Sequence, residues 1–349
     1  MMKLTCTSRE LHPRRAFRIS RARKTEVRNV FIRLESDGVV GYGEASPNAF
    51  YDETWSGVMA KLESAREFFQ TLEVHSVADI ETAWKEAWRF LAPSHAAQCA
   101  LDIALWDWLA RKKGVTVSEL AWNEPPRPVI TFATIGLSSS EELIEKVEEL
   151  RGFARIKIKS DQAASLDPVR FVRERSPALL AVDANCAWGK IDLAKLSREL
   201  AQLGVTFIEQ PWLPARDTEL PKLELPVMAD ESCVTEENAA QLPDAFDGFN
   251  IKLVKCGGIT PGRRMVATGK ARGKKMMVGC MLESSALIAA GAVVAQRTDY
   301  ADLDGAWLLG DDPFRGWKFD RGVLLPSTAS GLGVEPEEGL FNGAAASSR

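Results

Sequence analysis

Carboxylate and amine side chains close several of the short apolar runs in this chain. Asp183, Glu209 and Asp230 each stand at the end of such a run, and Lys159 and Lys252 end the runs on either side of them. Carboxylate oxygens are hard donors that suit Mg²⁺, which binds few of them and keeps its other positions for water or substrate oxygens. These residues therefore predict a magnesium site flanked by two lysine amines.

The cysteines and histidines give little support to other metal or nucleophile chemistries. Six cysteines are spread along the chain without a Cys-x-x-Cys pair, and none of the three histidines lies near another candidate ligand. This pattern argues against a zinc cage, a disulfide framework and a Ser-His-Asp triad. Acid–base chemistry must then come from carboxylates or lysines, and we expect the cysteines to be free thiols.

The spacing of the charged residues predicts that they meet at one end of a barrel. The steps from Lys159 through Asp183, Glu209 and Asp230 to Lys252 span 24, 26, 21 and 22 residues, each the length of one strand–helix repeat. Eight apolar runs alternating with amphipathic helices favour an α/β fold with a closed (β/α) barrel, in which catalytic residues come from the C-terminal strand ends. The eight runs cover 129–135, 154–159, 179–184, 205–209, 226–230, 248–253, 276–280 and 299–304.

Lysines on the second and sixth runs would approach the barrel mouth from opposite sides. Lys157 and Lys159 share one face of the second run because side chains alternate along a strand. One lysine could remove a proton next to a carboxylate or amide bound at Mg²⁺, which would stabilise the enolate, and the other could return a proton to the opposite face. We expect burial and neighbouring cations to lower the pKa of the working lysine toward neutrality.

The N-terminal part of the chain has a different pattern. A β-rich run over 30–34, a hairpin signal at Asp37-Gly38 and a return over 39–44 predict a strand meander. Three helices are predicted over 54–73, 77–91 and 94–113, and a proline-rich domain boundary follows at 124–128. Near the C-terminal end, a further strand pair is predicted over 317–325 and a disordered tail over 343–349.

The composition argues against nucleic-acid and membrane partners. The chain has 44 Lys and Arg against 48 Asp and Glu, so no global positive field attracts nucleic acid, and only residues 14–24 are locally basic. The longest strongly apolar stretch, 286–295, is too short to cross a bilayer, and charges occupy the place of a signal peptide's apolar segment. Gly41-Tyr-Gly43 lacks the third glycine of a dinucleotide site. We expect a cytoplasmic protein.

A set of short motifs in fixed order extends this interpretation. They are Lys157-Ile-Lys159, Val182-Asp-Ala-Asn185, Ile208-Glu-Gln-Pro211, Ala229-Asp-Glu-Ser232, Asn250-Ile-Lys-Leu-Val-Lys255-Cys-Gly-Gly258, Gly279-Cys-Met-Leu282 and Asp302-Leu-Asp-Gly305. From about residue 15 to 325 the chain resembles the enolase superfamily, and most of all the dipeptide epimerases of its muconate-lactonizing subgroup, such as the L-Ala-D/L-Glu epimerases. The resemblance implies a modified (β/α)7β TIM-like barrel over 126–314 and an α+β capping domain over 1–125, to which 315–349 return.

The resemblance also implies roles for individual residues. It makes Lys159 and Lys252 the acid/base pair. The three Mg²⁺ ligands would be Asp183, Glu209 and Asp230, and the supporting residues would be Asn185 and Lys255. The resemblance assigns substrate binding to Lys24, Thr134, Lys157, Cys280, Met281, Asp302 and Asp304. Two carboxylates spaced as Asp302 and Asp304 are the subgroup's mark of dipeptide substrates, since a buried α-ammonium needs close anionic partners.

Two capping-domain loops, over 20–25 and 46–53, would contact the outer side chain of the dipeptide. Lys24 stands where an arginine often recognises a distal carboxylate, and it would do so as a point charge. Arg21 or Arg23 could supply a bidentate contact instead, or the whole loop could be a solvated basic segment. The predicted substrate is L-Ala-D/L-Glu from murein peptide. The resemblance also implies that the protein could form a homo-oligomer.

Several alternatives share these residues. A hydrophobic or cationic dipeptide could replace Ala-Glu. The same lysine pair could serve an o-succinylbenzoate synthase, an N-acylamino acid racemase or a cycloisomerase, although these reactions give the paired aspartates no obvious use. A non-catalytic binding protein fits poorly, because every acid, base and ligand position is occupied.

Overall fold

The structure, a computed structural model, describes residues 1–342; the predicted disordered tail over 343–349 lies outside the described residues. The N-terminal elements are β1 (Lys3–Leu11), β2 (Phe17–Ile19), β3 (Ala22–Lys24), β4 (Val27–Ser36), β5 (Val39–Ala45), a 3-10 turn (Ala49–Tyr51), α1 (Trp55–Ser64), α2 (Arg66–Thr71), α3 (Val77–Leu91), α4 (His95–Lys113) and α5 (Val117–Trp122). Strands β1, β4 and β5 form an antiparallel sheet, and β2 pairs with β3 in a small hairpin.

The predicted meander and helices of this part are confirmed, with two differences. Asp37 and Gly38 both have positive φ, 56° and 73°, as a tight turn between β4 and β5 requires. The helix predicted over 54–73 is broken into α1 and α2 at Ala65. Helix α5 was not predicted, and it begins at a capping box in which Thr116 and Glu119 bond each other's backbone.

The second part of the chain alternates strands and helices. Its elements are β6 (Val129–Ile130), β7 (Ala133–Ile135), α6 (Ser140–Glu149), β8 (Arg155–Lys159), α7 (Asp167–Arg175), β9 (Leu179–Asp183), α8 (Leu193–Gln202), β10 (Val205–Glu209), a 3-10 segment (Pro214–Glu219), β11 (Val227–Ala229), α9 (Glu236–Gln241), β12 (Gly248–Lys252), α10 (Leu253–Cys256), α11 (Ile259–Ala271), β13 (Lys275–Gly279), α12 (Ser285–Ala295), β14 (Tyr300–Asp302) and α13 (Gly305–Leu308).

Strands β7 to β14 form one parallel sheet in sequence order that curls into a nearly closed barrel, which confirms the predicted fold class. Between its first and last strands, the Phe132 N–H donates to the Ala301 carbonyl at 2.8 Å. The interior below the mouth is packed with apolar side chains from several strands, so the barrel has a filled core. The buried interior cluster consists of Phe132, Ala181, Phe207, Met228 and Met277.

One strand–helix unit departs from the predicted alternation. Between β10 and β11 the chain forms only the 3-10 segment and no α-helix. Pro211, Pro214, Pro221 and Pro226 fall in this stretch, and proline removes a backbone donor and clashes with the preceding turn of a helix. The expectation of a helix after every run was therefore wrong here.

The last elements return to both parts of the molecule. They are β15 (Phe314–Arg315), β16 (Lys318–Asp320), β17 (Val323–Leu325) and β18 (Glu335–Pro336). The predicted strand pair is β16 with β17, and β17 also pairs with β6 at the base of the barrel. Further on, the Leu332 N–H donates to Asp107 of α4 at 2.7 Å. The division into a barrel and a capping domain remains our proposal. No helix among the described residues is long and apolar enough to cross a membrane.

Candidate active site

A cavity of about 690 Å³ opens at the C-terminal ends of the barrel strands, beneath the β2–β3 hairpin. Most of the predicted site residues line it. They are Lys24, Thr134, Lys157, Lys159, Asn185, Asp230, Lys252, Cys280, Met281, Asp302 and Asp304. Asp183 and Glu209 lie in its floor, each with 0 % of its surface exposed, and Lys255 lies behind Asp230. The structure thus gathers every residue to which the resemblance assigned a role.

The carboxylates at the ends of β9, β10 and β11 are held by amines and amides. Asp183 accepts from Lys159 Nζ at 2.5 Å and from the Asn185 N–H at 2.9 Å. Asp230, just after β11, accepts from Lys252 Nζ at 2.9 Å and from Lys255 Nζ at 2.7 Å. These contacts fix the direction in which each carboxylate faces.

Glu209 is fixed by a residue that the sequence interpretation did not assign a role. Its Oε1 accepts from Asn250 Nδ2 at 2.8 Å, and its Oε2 accepts from Lys157 Nζ at 3.1 Å. Asn250 lies two residues before Lys252 on β12, so both side chains point into the barrel. That alternation was the signal that could have identified Asn250.

The negative charge in the floor is only partly neutralised. Burial and the nearby Asp183 raise the pKa of Glu209 to about 7. Burial would also raise the pKa of Asp183, but the charges of Lys159 and Lys157 outweigh it and lower this pKa to about 2. Like charges held together in a buried site favour the binding of a cation. The three carboxylates are hard oxygen donors from neighbouring strands, and they fit the donor set of a magnesium ion.

Lys157 is a buried cation below the mouth. Its amine contacts Asp302, Glu209 and, at 3.4 Å, Asp183. Burial alone would lower the pKa of this lysine, but the three carboxylates outweigh it and hold the pKa well above the usual range. A lysine in this state keeps its proton and supplies a fixed positive charge.

The prediction that the working lysines have lowered pKa values is wrong for Lys252. Burial disfavours its charge, but the Asp230 and Glu209 carboxylates outweigh burial and raise its pKa above the usual value. The sequence interpretation counted the neighbouring cations and the burial. It missed the distance of 2.9 Å between the amine and Asp230.

Asp302 and Asp304 form a paired acidic wall at the end of β14. The Thr134 N–H donates to Asp304 Oδ2 at 2.6 Å, and the Thr134 hydroxyl donates to Asp302 Oδ1 at 3.4 Å. Burial and the charge of Asp302 raise the pKa of Asp304 to about 7. A cationic group that enters the cavity would relieve this repulsion.

The basic loop predicted to contact the outer side chain contributes two cations, Arg21 and Lys24, to the lining of the cavity. The guanidinium of Arg21 is already paired: its Nη2 lies 2.6 Å from Glu231 Oε1, and its Nη1 donates to the Asn185 carbonyl at 3.0 Å. Arg23 is exposed on β3 and does not line the cavity. Lys24 does line it, and burial, together with the cations around it, lowers the pKa of its amine.

Three further residues complete the mouth. Asn48 and Tyr51, from the loop over 46–53, line the cavity opposite the strand ends. Glu231 is fully buried in its side chain and anchors Arg21, whose guanidinium also stacks on Phe50 at 4.3 Å. Glu231 directly follows Asp230, and that position was its only signal in the sequence.

A nearly closed barrel with carboxylates and lysines at its mouth, covered by an N-terminal α+β part, defines a class of metal-dependent enzymes. Residues 2–121 match the family described as "Mandelate racemase / muconate lactonizing enzyme, N-terminal domain", and residues 140–340 match "Enolase C-terminal domain-like". The chain belongs to the enolase superfamily.

Individual relatives cover almost the whole chain. An L-Ala-D/L-amino acid epimerase of Flavobacterium johnsoniae is 38% identical over 95% of this chain and 99% of its own length. A hydrophobic dipeptide epimerase of Roseobacter litoralis is 36% identical over 95% of this chain and 98% of its own length. The solved structure of a dipeptide epimerase from Methylococcus capsulatus, complexed with Mg and the dipeptide L-Arg-D-Lys, is 30% identical in sequence and has a TM-score of 0.87. The match covers 95% of this chain and 98% of that one.

Proposed function

We propose that this protein is a Mg²⁺-dependent isomerase that epimerises dipeptides at the α-carbon of the C-terminal residue, with L-Ala-D/L-Glu of murein origin as the substrate. The observation that carries the proposal is that Lys159 and Lys252 face one cavity from the second and sixth strands of the eight-stranded sheet. Strands four places apart in an eight-stranded barrel stand on opposite walls. The similarity to proteins named as dipeptide epimerases supports the reaction class.

Asp183, Glu209 and Asp230 would hold the magnesium ion. Their burial, their position on three consecutive strands and the repulsion that raises the pKa of Glu209 all favour a divalent cation there. When bound, Mg²⁺ supplies the positive charge that acidifies the α-carbon of a carboxylate ligand. The similar dipeptide epimerase from Methylococcus capsulatus was solved with Mg and a dipeptide, which supports this choice of metal.

The two lysines would carry the proton. The amine of Lys159 would take it from one face of the α-carbon, and the amine of Lys252 would give one to the other face; the roles exchange for the opposite diastereomer. Before Lys252 can accept a proton its amine must lose one, which the Asp230 carboxylate beside it opposes. Lys157, held in its charged form by three carboxylates, adds positive charge to the floor.

Asp302 and Asp304 would bind the α-ammonium of the N-terminal residue. Both carboxylates are buried and face the same cavity as the lysines. A charge-assisted hydrogen bond in such a site is strong and directional. The ammonium would therefore set the register that brings the C-terminal α-carbon between Lys159 and Lys252.

The amine of Lys24 would bind the distal carboxylate of glutamate. This buried cation has other cations around it, so an anion would relieve both its desolvation and its repulsion. Arg21 also lines the cavity, but its guanidinium is already paired with the Glu231 carboxylate, so we assign the distal carboxylate to Lys24. This assignment favours an acidic C-terminal residue.

Proton NMR in D₂O tests the proposal directly. The purified protein with Mg²⁺ should exchange the Glu α-proton of L-Ala-L-Glu and produce the L-Ala-D-Glu diastereomer. Loss of exchange on addition of a chelator, and its return with Mg²⁺, is the control. Absence of exchange with every member of a dipeptide library would reject the proposed reaction.

A second candidate substrate is a dipeptide with an apolar C-terminal side chain. Phe17, Ile19 and Leu282 bring apolar surface to the cavity, and one of the relatives is named as a hydrophobic dipeptide epimerase. The same NMR assay on L-Ala-L-Leu and L-Ala-L-Glu separates the two. Faster exchange with the leucine dipeptide would keep the mechanism and remove the role of Lys24.

A further inference from the structure

One wall of the cavity is held from outside by the N-terminal sheet. Cys280, Met281 and Leu282 follow β13, line the cavity and lead through Glu283 to the first turn of α12; we refer to residues 280–284 as the β13 loop. Inside the loop, the Met281 N–H donates to Glu283 Oε1 at 2.8 Å. The remaining polar contacts of the loop described below go to strands β4 and β5 and to Ser46, which directly follows β5.

Glu44 of β5 caps the helix that follows the loop. Its Oε1 accepts from the Ser284 N–H at 3.0 Å, and its Oε2 accepts from the Ser284 hydroxyl and from the Leu287 N–H at 3.2 Å. A carboxylate at a helix N-terminus satisfies otherwise unpaired N–H groups and interacts favourably with the helix dipole. Glu44 is 0 % exposed, so water cannot replace it.

Asn29 of β4 connects this cap to the cavity wall. Its Nδ2 donates to Glu44 Oε1 at 2.8 Å and to the Leu282 carbonyl at 3.0 Å. The hydroxyl of Ser46 also donates to the Leu282 carbonyl, at 3.3 Å. The end of the β13 loop next to the helix, at Leu282 and Ser284, is therefore fixed by side chains that do not line the cavity.

We propose that Glu44 and Asn29 are positioning residues, which hold the β13 loop at the place where Cys280 and Met281 meet the dipeptide. The proposal rests on the proposed function for its substrate, but the position of the loop can be measured without turnover. If the contacts are lost, the loop moves away from the mouth, substrate binding weakens and the thiol of Cys280, which is only partly exposed, becomes more accessible.

The helix α11 offers a matched control. Asp102 of α4 caps it by accepting from the Thr260 N–H at 2.9 Å, and Asp102 is likewise 0 % exposed. Neither Asp102 nor Thr260 lines the cavity. Asp102→Ala and Glu44→Ala thus remove equivalent buried caps, and only Glu44→Ala releases the β13 loop.

The test combines two measurements on Glu44→Ala, Asp102→Ala and the wild-type protein. Alkylation by iodoacetamide, mapped to single cysteines by mass spectrometry, should be at least tenfold faster at Cys280 in Glu44→Ala, relative to Cys186 in the same sample. KM for the dipeptide should rise by about the same factor, with a smaller change in kcat. Asp102→Ala should leave both quantities within twofold of the wild type.

The outcomes separate the two proposals. If Glu44→Ala lowers Tm as Asp102→Ala does, with Cys280 reactivity and KM unchanged, Glu44 is only structural and the inference is wrong. If Glu44→Ala does not fold, Asn29→Ala, which keeps the helix cap, should still show faster alkylation of Cys280, and an unchanged rate would overturn the inference. If the wild type epimerises no dipeptide, the proposed function fails, whereas the alkylation rates still decide this inference.

Discussion

Each proposed proton carrier has its own carboxylate partner. Lys159 contacts Asp183, and Lys252 contacts Asp230, so the two amines belong to separate ion pairs on opposite walls. Loss of either lysine removes a base and also leaves a buried carboxylate with less compensation. The two variants should therefore resemble each other in the size of their defect and differ in the face of substrate that they affect.

Lys159→Ala and Lys252→Ala should each lower kcat for epimerisation by about 10²- to 10⁴-fold, the usual contribution of a general acid or base. Each should still exchange the α-proton of the one diastereomer whose proton faces the remaining lysine. NMR in D₂O measures both effects, with the exposed Lys190→Ala as control. Turnover within tenfold of the wild type in either lysine variant would contradict the two-base mechanism.

Dipeptide affinity should fall as the pH is lowered from 7 to 6. The pKa of Asp304 is raised to about 7, so more of this group becomes neutral below that pH and no longer attracts the substrate ammonium, which stays charged. Calorimetry should show a loss of up to about tenfold over this one unit, the limit for a single proton.

Asp304→Asn provides the comparison for this pH effect. It should weaken binding about tenfold or more, as expected when a hydrogen bond to a charged group is lost, and it should flatten the pH dependence. Unchanged affinity of this variant would remove Asp304 from the ammonium site.

Lys24→Gln should change the choice of substrate more than the rate of the chemistry. We expect kcat/KM for L-Ala-L-Glu to fall about tenfold relative to that for L-Ala-L-Gln, because the lost contact is a charge-assisted hydrogen bond to the distal carboxylate. Arg23→Gln, on the same hairpin but exposed, is the control and should leave the ratio unchanged. An equal loss with both dipeptides would show that Lys24 does not contact the distal group.

At the scale of secondary-structure elements, strand β5 lies directly against the backbone of helix α4. A Cβ atom at Gly43 would lie 2.0 Å from the Ala100 carbonyl oxygen, and one at Gly41 would lie 2.3 Å from that of Ala104. The two glycines let the strand lie against the helix backbone. The close packing also carries Glu44, the next residue, to the start of α12.

Gly43→Ala should lower the free energy of unfolding by about 1–3 kcal/mol, because the added methyl group forces β5 and α4 apart. Gly189→Ala is the control, since its Cβ would meet only Arg216 Nη1 at 3.6 Å. Urea unfolding of the two variants measures the difference. Equal stability would mean that β5 and α4 separate at little cost.

The whole barrel should become more stable when magnesium binds, because the three carboxylates come from strands that meet only in the folded state. At a concentration of Mg²⁺ one hundred times its Kd, the free energy of unfolding should rise by about 2.7 kcal/mol. Thermal unfolding with Mg²⁺ and with a chelator measures the shift. Glu209→Gln should reduce it and Asp304→Asn should retain it; a shift that survives in Glu209→Gln would place the ion elsewhere.

The sequence by itself determined the barrel and the meeting of its charges. Alternation along each strand and a repeat of 21 to 26 residues place Lys159, Asp183, Glu209, Asp230 and Lys252 at equivalent strand ends, whatever the details of packing. Local rules also fixed the turn at Asp37-Gly38. They failed for the segment before β11, where several prolines outweigh the strand–helix rhythm.

Only the tertiary structure decided which groups meet across long distances in the chain. It pairs Arg21 with Glu231 at the cavity wall and leaves Lys24 in the lining beside it, an arrangement that the loop sequence leaves open because it depends on side-chain direction. It raises the pKa of Lys252, because the Asp230 and Glu209 carboxylates outweigh the burial that by itself would lower it. It also brings Glu44 to Ser284, 240 residues away, since a buried contact between two separately folded segments leaves no periodic signal in either.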